Sequence, residues 1–358
     1  MNYRLLIINP GSTSTKIAVY ENENELFSDN IEHSKEDLSS FPDVMSQYEY
    51  RVEKIYDSLK SINLDMNTLS AIVSRGGILP PIEAGAYLIN EQMIEDLKLP
   101  SAAHASNLGA LIANSLSKSL GIPSLIYDAI SSDEFTDVAR ITGFPEFDRH
   151  NVSHVLNAKA MARKYAESIG KAYEDVKVIV AHLGGGISIS AHENGRIIDS
   201  ESDDEGPFSP ERSGAAPLLH IITLCYSGLY DKNTMMKKIR GLGGLKAHLG
   251  TSDCRKIEKM ISEGDRKAEL IYEAQVYQIA KGIGMLLPVM DKVDAIILTG
   301  GVAYSEYLTS RVKKMVERYA NVVILPGENE MESLALGGLR VLRGEEKAQI
   351  YHHPTAKI

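Results

Sequence analysis

The sequence predicts an α/β protein of two similar-sized lobes, each opening on a strand, a short turn and a second strand. Three observations predict it. Leu5-Leu6-Ile7-Ile8 runs into Asn9-Pro10-Gly11-Ser12-Thr13-Ser14-Thr15-Lys16 and emerges as Ile17-Ala18-Val19-Tyr20, which alternates with a period of two. Val178-Ile179-Val180-Ala181 repeats the device through His182-Leu183-Gly184-Gly185-Gly186 into Ile187-Ser188-Ile189-Ser190-Ala191. The 358 residues are also more than one core usually holds.

Taken in order, the first turn presents small hydroxyls and one ammonium where consecutive backbone N–H groups can hold an anion. Because it feeds a strand and not a helix, it matches neither the Walker loop nor the dinucleotide fingerprint. Leu69 to Val73 reads as a strand ending at Ser74-Arg75-Gly76-Gly77, and Ala102 to Leu120 as a helix. After the break at Gly121-Ile122-Pro123, a short strand, Ser124 to Tyr127, ends at Asp128. A helix within Asn151 to Lys171 marks the passage between lobes, which places them at 1–155 and 156–358. In the second half, Asn194-Gly195 is a two-residue hairpin signal, so Val178 to Asp199 reads as a three-stranded meander. Ala295 to Leu298 is a strand ending at Thr299-Gly300-Gly301, followed by a helix over Ser305 to Tyr319. Lys256 to Leu287 is helical with a break at 262–265, and a closing helix follows Leu325-Pro326-Gly327, free to pack back on the first lobe. The tail beyond Glu345 is too weakly periodic to assign.

Composition narrows the function. A net charge of -10 and the lack of a sustained basic run argue against nucleic acid or an anionic membrane as partner. No apolar run approaches the roughly 18 residues of a membrane span. The first strand begins almost at Met1 and leaves no room for a signal peptide, so a cytoplasmic protein is expected. Two cysteines make neither a disulfide framework nor a cysteine zinc site, and Cys225, inside the apolar run Leu218 to Leu229, is expected in the core. In α/β folds chemistry gathers where the carboxyl ends of strands meet loops. Arg75 and Asp128 stand there, and Arg212 sits in a Pro-, Ser- and Gly-rich segment with little packing use for a guanidinium. Asp128 as a helix cap, and the two arginines as surface charges, are the plain alternatives.

The ordered set Ile8 to Lys16, Tyr127-Asp128-Ala129, Arg149 to His154, His182 to Gly186, Glu211-Arg212-Ser213-Gly214 and Thr299-Gly300-Gly301 resembles the acetate kinase family, and its butyrate kinase branch above all. The likeness runs from Ile7 to about Gly338. It implies the duplicated actin-like, ribonuclease H-like fold of acetate and sugar kinases, heat-shock ATPases and actin, with a central nucleotide cleft. It also implies ATP-dependent, reversible phosphorylation of a short-chain fatty acid, butanoate with ATP giving butanoyl phosphate and ADP. Acetate or a branched-chain acid is the alternative substrate. By position, the resemblance makes Asn9, Ser12, Ser14 and Lys16 the first phosphate site and His182, Gly184, Gly185 and Gly186 the second. Gly300 and Gly301 fall near the adenosine. Arg75, Asp128, His150 and Arg212 would surround the reacting groups, with His104 beside the substrate. Magnesium would be held by Glu330, with Glu328 or Glu332 as the alternative ligand, and by Asp128 through water. A homodimer or larger homo-oligomer is implied as well. The chain departs from the acetate members at Gly185, where they carry Asn, and at Arg75, which directly precedes Gly76-Gly77.

The chemistry is consistent on its own terms. A carboxylate is already ionised at pH 7, so acyl phosphate formation needs no general base, only alignment and relief of repulsion between two anions. A sugar kinase would instead use Asp128 as a base, and an actin-like ATPase that is not a kinase would need no carboxylate at all.

Overall fold

The computed structural model describes residues 1–99 and 104–353, and its contacts divide the chain into two units, Met1–Asp133 with Asn329–Ile358, and Glu134–Glu328. In the first unit, β1 (Arg4–Pro10), β2 (Ser14–Glu21) and β3 (Asn24–Glu32) form an antiparallel meander. β4 (Ala71–Arg75) lies parallel to β1, and β6 (Ser124–Tyr127) parallel to β4. The short β5 (Ala86–Leu88) runs antiparallel to β6.

The second unit repeats this plan. β7 (Val178–Leu183), β8 (Ile187–Glu193) and β9 (Arg196–Glu201) form the meander, and β10 (Ala295–Gly300) and β11 (Asn321–Pro326) continue from β7 in parallel. The strand orders β3-β2-β1-β4-β6 and β9-β8-β7-β10-β11 are therefore the same topology twice. This is the duplicated α/β architecture expected from the two hairpins. Asn194 and Gly195 both have positive φ, 52° and 73°, as a tight hairpin with right-twisted strands requires.

Each central strand is apolar on both faces because helices cover both. Leu6, Ile8 and Ile72 pack with Leu108 and Ile112 of the helix Asn107–Leu120. Leu5 and Val73, one residue out of phase, face the helix Glu330–Arg343. That helix comes close because it carries Gly338, where a Cβ would stand 2.4 Å from Val73 and 2.8 Å from Leu5. In the second unit Val178 and Val180 pack on the helix Val155–Ser168, while Ile179 and Ala181 pack on the helix Arg266–Leu286.

The change of unit comes at Asp133, ahead of the expected position 155. Glu134 forms a buried ion pair with Lys159, at 2.8 and 3.0 Å, and accepts the Ile197 N–H at 3.0 Å. Thr136 N–H donates to the Ile198 carbonyl, and the Arg149 guanidinium reaches Asp199 and Glu205, both at 3.0 Å. A buried Lys–Glu pair broken by moving one partner leaves an uncompensated charge, so this segment is fastened to the helix Val155–Ser168 by the ion pair and to β9 by the hydrogen bonds.

Cys225 is a correction. It is exposed at the end of the helix Leu218–Cys225, none of whose residues is buried. Leu218, Leu219 and Ile222 are more than half exposed, so the apolar run forms surface and not core. The expected helix from Ala102 begins at Asn107; Ala102 and Ala103 lie outside the described residues. The unassigned tail supplies β12 (Gln349–Ile350), parallel to β5, and Tyr351, which is buried with its hydroxyl on Asp96. Among the described residues no helix is long and apolar enough to cross a membrane.

Candidate active site

Three sequence-predicted residues of the first unit converge. β1 and β4 run in parallel with Ile8 beside Ser74, the last pair of that ladder, so Asn9 and Arg75, the next residue of each strand, stand side by side. The helix Glu330–Arg343, drawn close by its glycine contact, sets its first residue between them. The Asn9 amide donates to Glu330 Oε2 at 2.6 Å and Arg75 Nη1 to Glu330 Oε1 at 3.0 Å. Arg75 Nε is buried without an acceptor among the described residues. His104, from the loop before Asn107, has its Nδ1 on Ser106 Oγ at 2.7 Å. Its ring is held below the ordinary imidazole value, first by desolvation and then by the Arg75 cation, although the residue keeps an accessible edge.

Asp128 directly follows β6 and is almost wholly buried. Its backbone turns into the left-handed region, φ 40°, an uncommon conformation for a side-chain-bearing residue. The turn is fastened at both ends: Gly85 N–H donates to Asp128 Oδ1 at 2.8 Å, and Asp128 N–H donates to the Gly85 carbonyl at 3.1 Å. Ser12 stands exposed in the β1–β2 turn, Ser14 is half-buried at its end, and Lys16 pairs in register with Asn9.

In the second unit the turn Gly184–Gly186 joins β7 to β8 at the topological place of the first hairpin. The Gly185 carbonyl is held from behind by Ser209 Oγ, at 2.6 Å, and Glu211 N–H, at 3.2 Å. The same loop delivers Arg212, whose guanidinium lies over Gly186: a Cβ there would meet Arg212 Nη1 at 2.4 Å. Asp203, 2 % exposed, anchors Arg212 Nη1 through one oxygen and Arg240 Nη2, at 2.9 Å, through the other. His182 is buried with Nδ1 2.9 Å from Asn157 Oδ1. The Asn157 amide nitrogen donates to the Gly327 and Glu328 carbonyls, so its oxygen faces the ring and His182 carries its proton on Nδ1. His154 stacks face-on against His182, ring centroids 3.9 Å apart, and bonds Ser188 Oγ at 2.8 Å. Gly300 exchanges backbone hydrogen bonds with Gly327, and Gly301 opens a one-turn helix. His150 is exposed in the loop that Arg149 ties to β9.

Each unit thus carries one glycine- or hydroxyl-bearing hairpin and one arginine held on a carboxylate, Arg75 on Glu330 in the first and Arg212 on Asp203 in the second. Residues 138–346 match the sequence pattern of the Acetokinase family. "Probable butyrate kinase" of Clostridium botulinum (strain Alaska E43 / Type E3) is 48% identical over 355 residues, covering 98% of this chain and 100% of the relative. The chain belongs to the acetokinase family. "Butyrate kinase 1" of Clostridium acetobutylicum is 47% identical, covering 98% of this chain and 99% of the relative. The crystal structure of Porphyromonas gingivalis acetate kinase superimposes with a TM-score of 0.80 at 20% identity, covering 95% of this chain and 100% of that one. Its fold is thus the actin-like fold of this kinase family.

Sequence reasoning missed the residues that brace the acetokinase motifs. Asn157 lies inside a helix with no motif about it. Asp203 sits in Asp203-Asp204-Glu205, a run that reads as a solvated face until β9 and the Arg212 loop are seen to enclose its first member. Arg51, fully buried, lies in the helix Tyr48–Ser61, whose composition is polar and unremarkable.

Proposed function

We propose that this chain transfers the γ-phosphoryl group of ATP to butyrate, reversibly, giving butyryl phosphate and ADP. The observation that carries the reading is the likeness at 47–48% identity, over 98% of the chain, to proteins named as butyrate kinases. A carboxylate oxygen forms the new P–O bond as the bond to the β–γ bridging oxygen breaks, and ADP leaves with that electron pair. No proton is lost from the acceptor, so Asp128 has no base to be. Its two hydrogen bonds to Gly85 suit it to positioning the end of β6.

Arg212 takes the charge on the equatorial phosphoryl oxygens and Arg75 that of the substrate carboxylate. Asn9, Ser12, Ser14 and Lys16 hold phosphate, as do His182 and Gly184 to Gly186, while Gly300 and Gly301 border the adenosine. His104 and His150 add donors. Among the described residues no three His, Cys, Asp or Glu side chains cluster as a metal cage. Magnesium needs none, since it keeps its waters and binds phosphates with one or two carboxylates. Glu330, oriented by Asn9 and Arg75, fits that part and would hold it through water; the bound ion neutralises phosphate charge. A homo-oligomer in the cytoplasm completes this reading.

The test is a hydroxamate trap with MgATP and straight-chain acids from acetate to valerate. Acyl hydroxamate should form, with butyrate giving the highest kcat/KM. No hydroxamate from any acid rejects the reading, and a maximum at acetate rejects butyrate. Each methylene buried is worth only about 0.8 kcal/mol, so discrimination between neighbours should be severalfold.

A further inference from the structure

Arg51 is fully buried behind the first phosphate turn. Its Nη1 donates to the Gly11 carbonyl at 2.9 Å, the Ser14 carbonyl at 3.1 Å and Thr15 Oγ1 at 3.0 Å. Nη2 donates to the Ser12 carbonyl at 3.3 Å, and Gln47 Oε1 holds the fork from the far side through Nε, at 3.1 Å, and Nη2, at 2.9 Å. The Thr13 carbonyl is taken by His33 N–H at 2.9 Å. In a planar trans peptide the carbonyl and the following N–H point in opposite directions. Fastening the Gly11 and Ser12 carbonyls to Arg51 therefore turns the Ser12 and Thr13 N–H groups away from the core. Ser12 and Thr13 are exposed, and neither amide nitrogen has an acceptor among the described residues. The second unit solves the same problem with Ser209 and Glu211 on the Gly185 carbonyl.

We propose that Arg51 is a positioning residue for nucleotide binding: by gripping the turn's carbonyls from inside, it presents the Ser12 and Thr13 N–H groups as a preformed anion nest for a phosphate of ATP. This deepens the proposed function and rests on reading the turn as a phosphate site. Arg51 does not touch the ligand, and it acts through two peptide planes. A lysine cannot supply the fork, having one point of donation where the guanidinium spans four oxygens of the turn and a fifth on Gln47.

The test compares wild type, Arg51→Lys, Arg51→Gln and Gln47→Leu. Titration calorimetry measures MgATP binding without carboxylate, and steady-state kinetics gives KM for ATP and for butyrate separately. Arg51→Gln should weaken MgATP about 10- to 100-fold, the scale set by a displacement of about 1 Å at a site, with KM for butyrate changed less than twofold. Arg51→Lys should recover only part of this, and Gln47→Leu should show the same split more weakly. In the wild type, MgATP should slow hydrogen exchange at Ser12 and Thr13. Unchanged MgATP affinity in a folded Arg51→Gln protein overturns the proposal, as does an equal loss for both substrates, which marks a merely structural role. If Arg51→Gln does not fold, Gln47→Leu decides by the same criteria. Because MgATP binding is read without turnover, a wild type that binds ATP but makes no hydroxamate sinks the butyrate reading and leaves this one standing.

Discussion

Gly186→Ala isolates the placement of Arg212. The backbone at Gly186 has no left-handed φ, so alanine adds one methyl group and no conformational strain. That methyl would lie 2.4 Å from Arg212 Nη1 and 2.5 Å from Cζ, against an ordinary contact of about 3.5 Å. The guanidinium must retreat by about 1 Å and loosen its hold on Asp203, while the hairpin itself stays as it is. A displacement of about 1 Å costs about 100-fold, or about 2.7 kcal/mol of transition-state stabilisation. The hydroxamate assay at saturating MgATP and butyrate should show kcat lowered by that factor, with Tm within about two degrees of wild type. Arg212→Ala should cost about 100- to 1,000-fold. The double variant should be no worse than Arg212→Ala, because both changes act through one guanidinium. A Gly186→Ala enzyme with kcat within threefold of wild type would show that Arg212 is not at the reacting phosphoryl. Additive losses would show that the methyl group harms something else.

Three further outcomes are expected. Glu330→Gln removes the charge that Asn9 and Arg75 orient, so the magnesium concentration for half-maximal rate should rise about tenfold; an unchanged magnesium curve would take Glu330 out of metal binding. Burial raises the Glu201 carboxyl from 4.5 to about 7, and its Oε1 has no hydrogen-bond partner among the described residues. The folded state therefore keeps a proton that the unfolded state has lost, stability falls as pH rises from about 4.5 to about 7, and the loss is at most about 3 kcal/mol. The Tm advantage of Glu201→Gln over wild type should accordingly grow between pH 5 and 8, and parallel curves would contradict the assignment. In the native protein an aromatic disulfide reagent should titrate Cys225 quickly and Cys254 slowly, since Cys225 is exposed and burial pushes the Cys254 thiol up to about 11; two thiols reacting together would refute this.

The hairpins, the meander and most strand ends were legible because each is a local property. A period of two, an apolar run and a glycine or hydroxyl turn occupy a few consecutive residues, and Asn194-Gly195 states its own turn. The candidate residues at strand ends were legible for a related reason, since a polar residue directly after an apolar run must leave the sheet where chemistry gathers. The helix Leu218–Cys225 shows the limit. An apolar segment says that it would gain from burial, and only the surrounding chain decides whether anything covers it.

By itself, then, the sequence determined which residues make the two turns, the duplicated order of strands, and the cations available to two anions. Tertiary structure decided what holds those groups in place. The Asn9–Glu330 contact spans 321 positions, Arg51 reaches the turn from 40 positions away, and Asp203 binds two arginines from different elements. No local pattern encodes such pairings, because a hydrogen bond between distant residues depends on how helices approach sheets. Here that approach depends on Gly338 letting a helix settle on β1 and β4, and on Gly186 leaving room for a guanidinium.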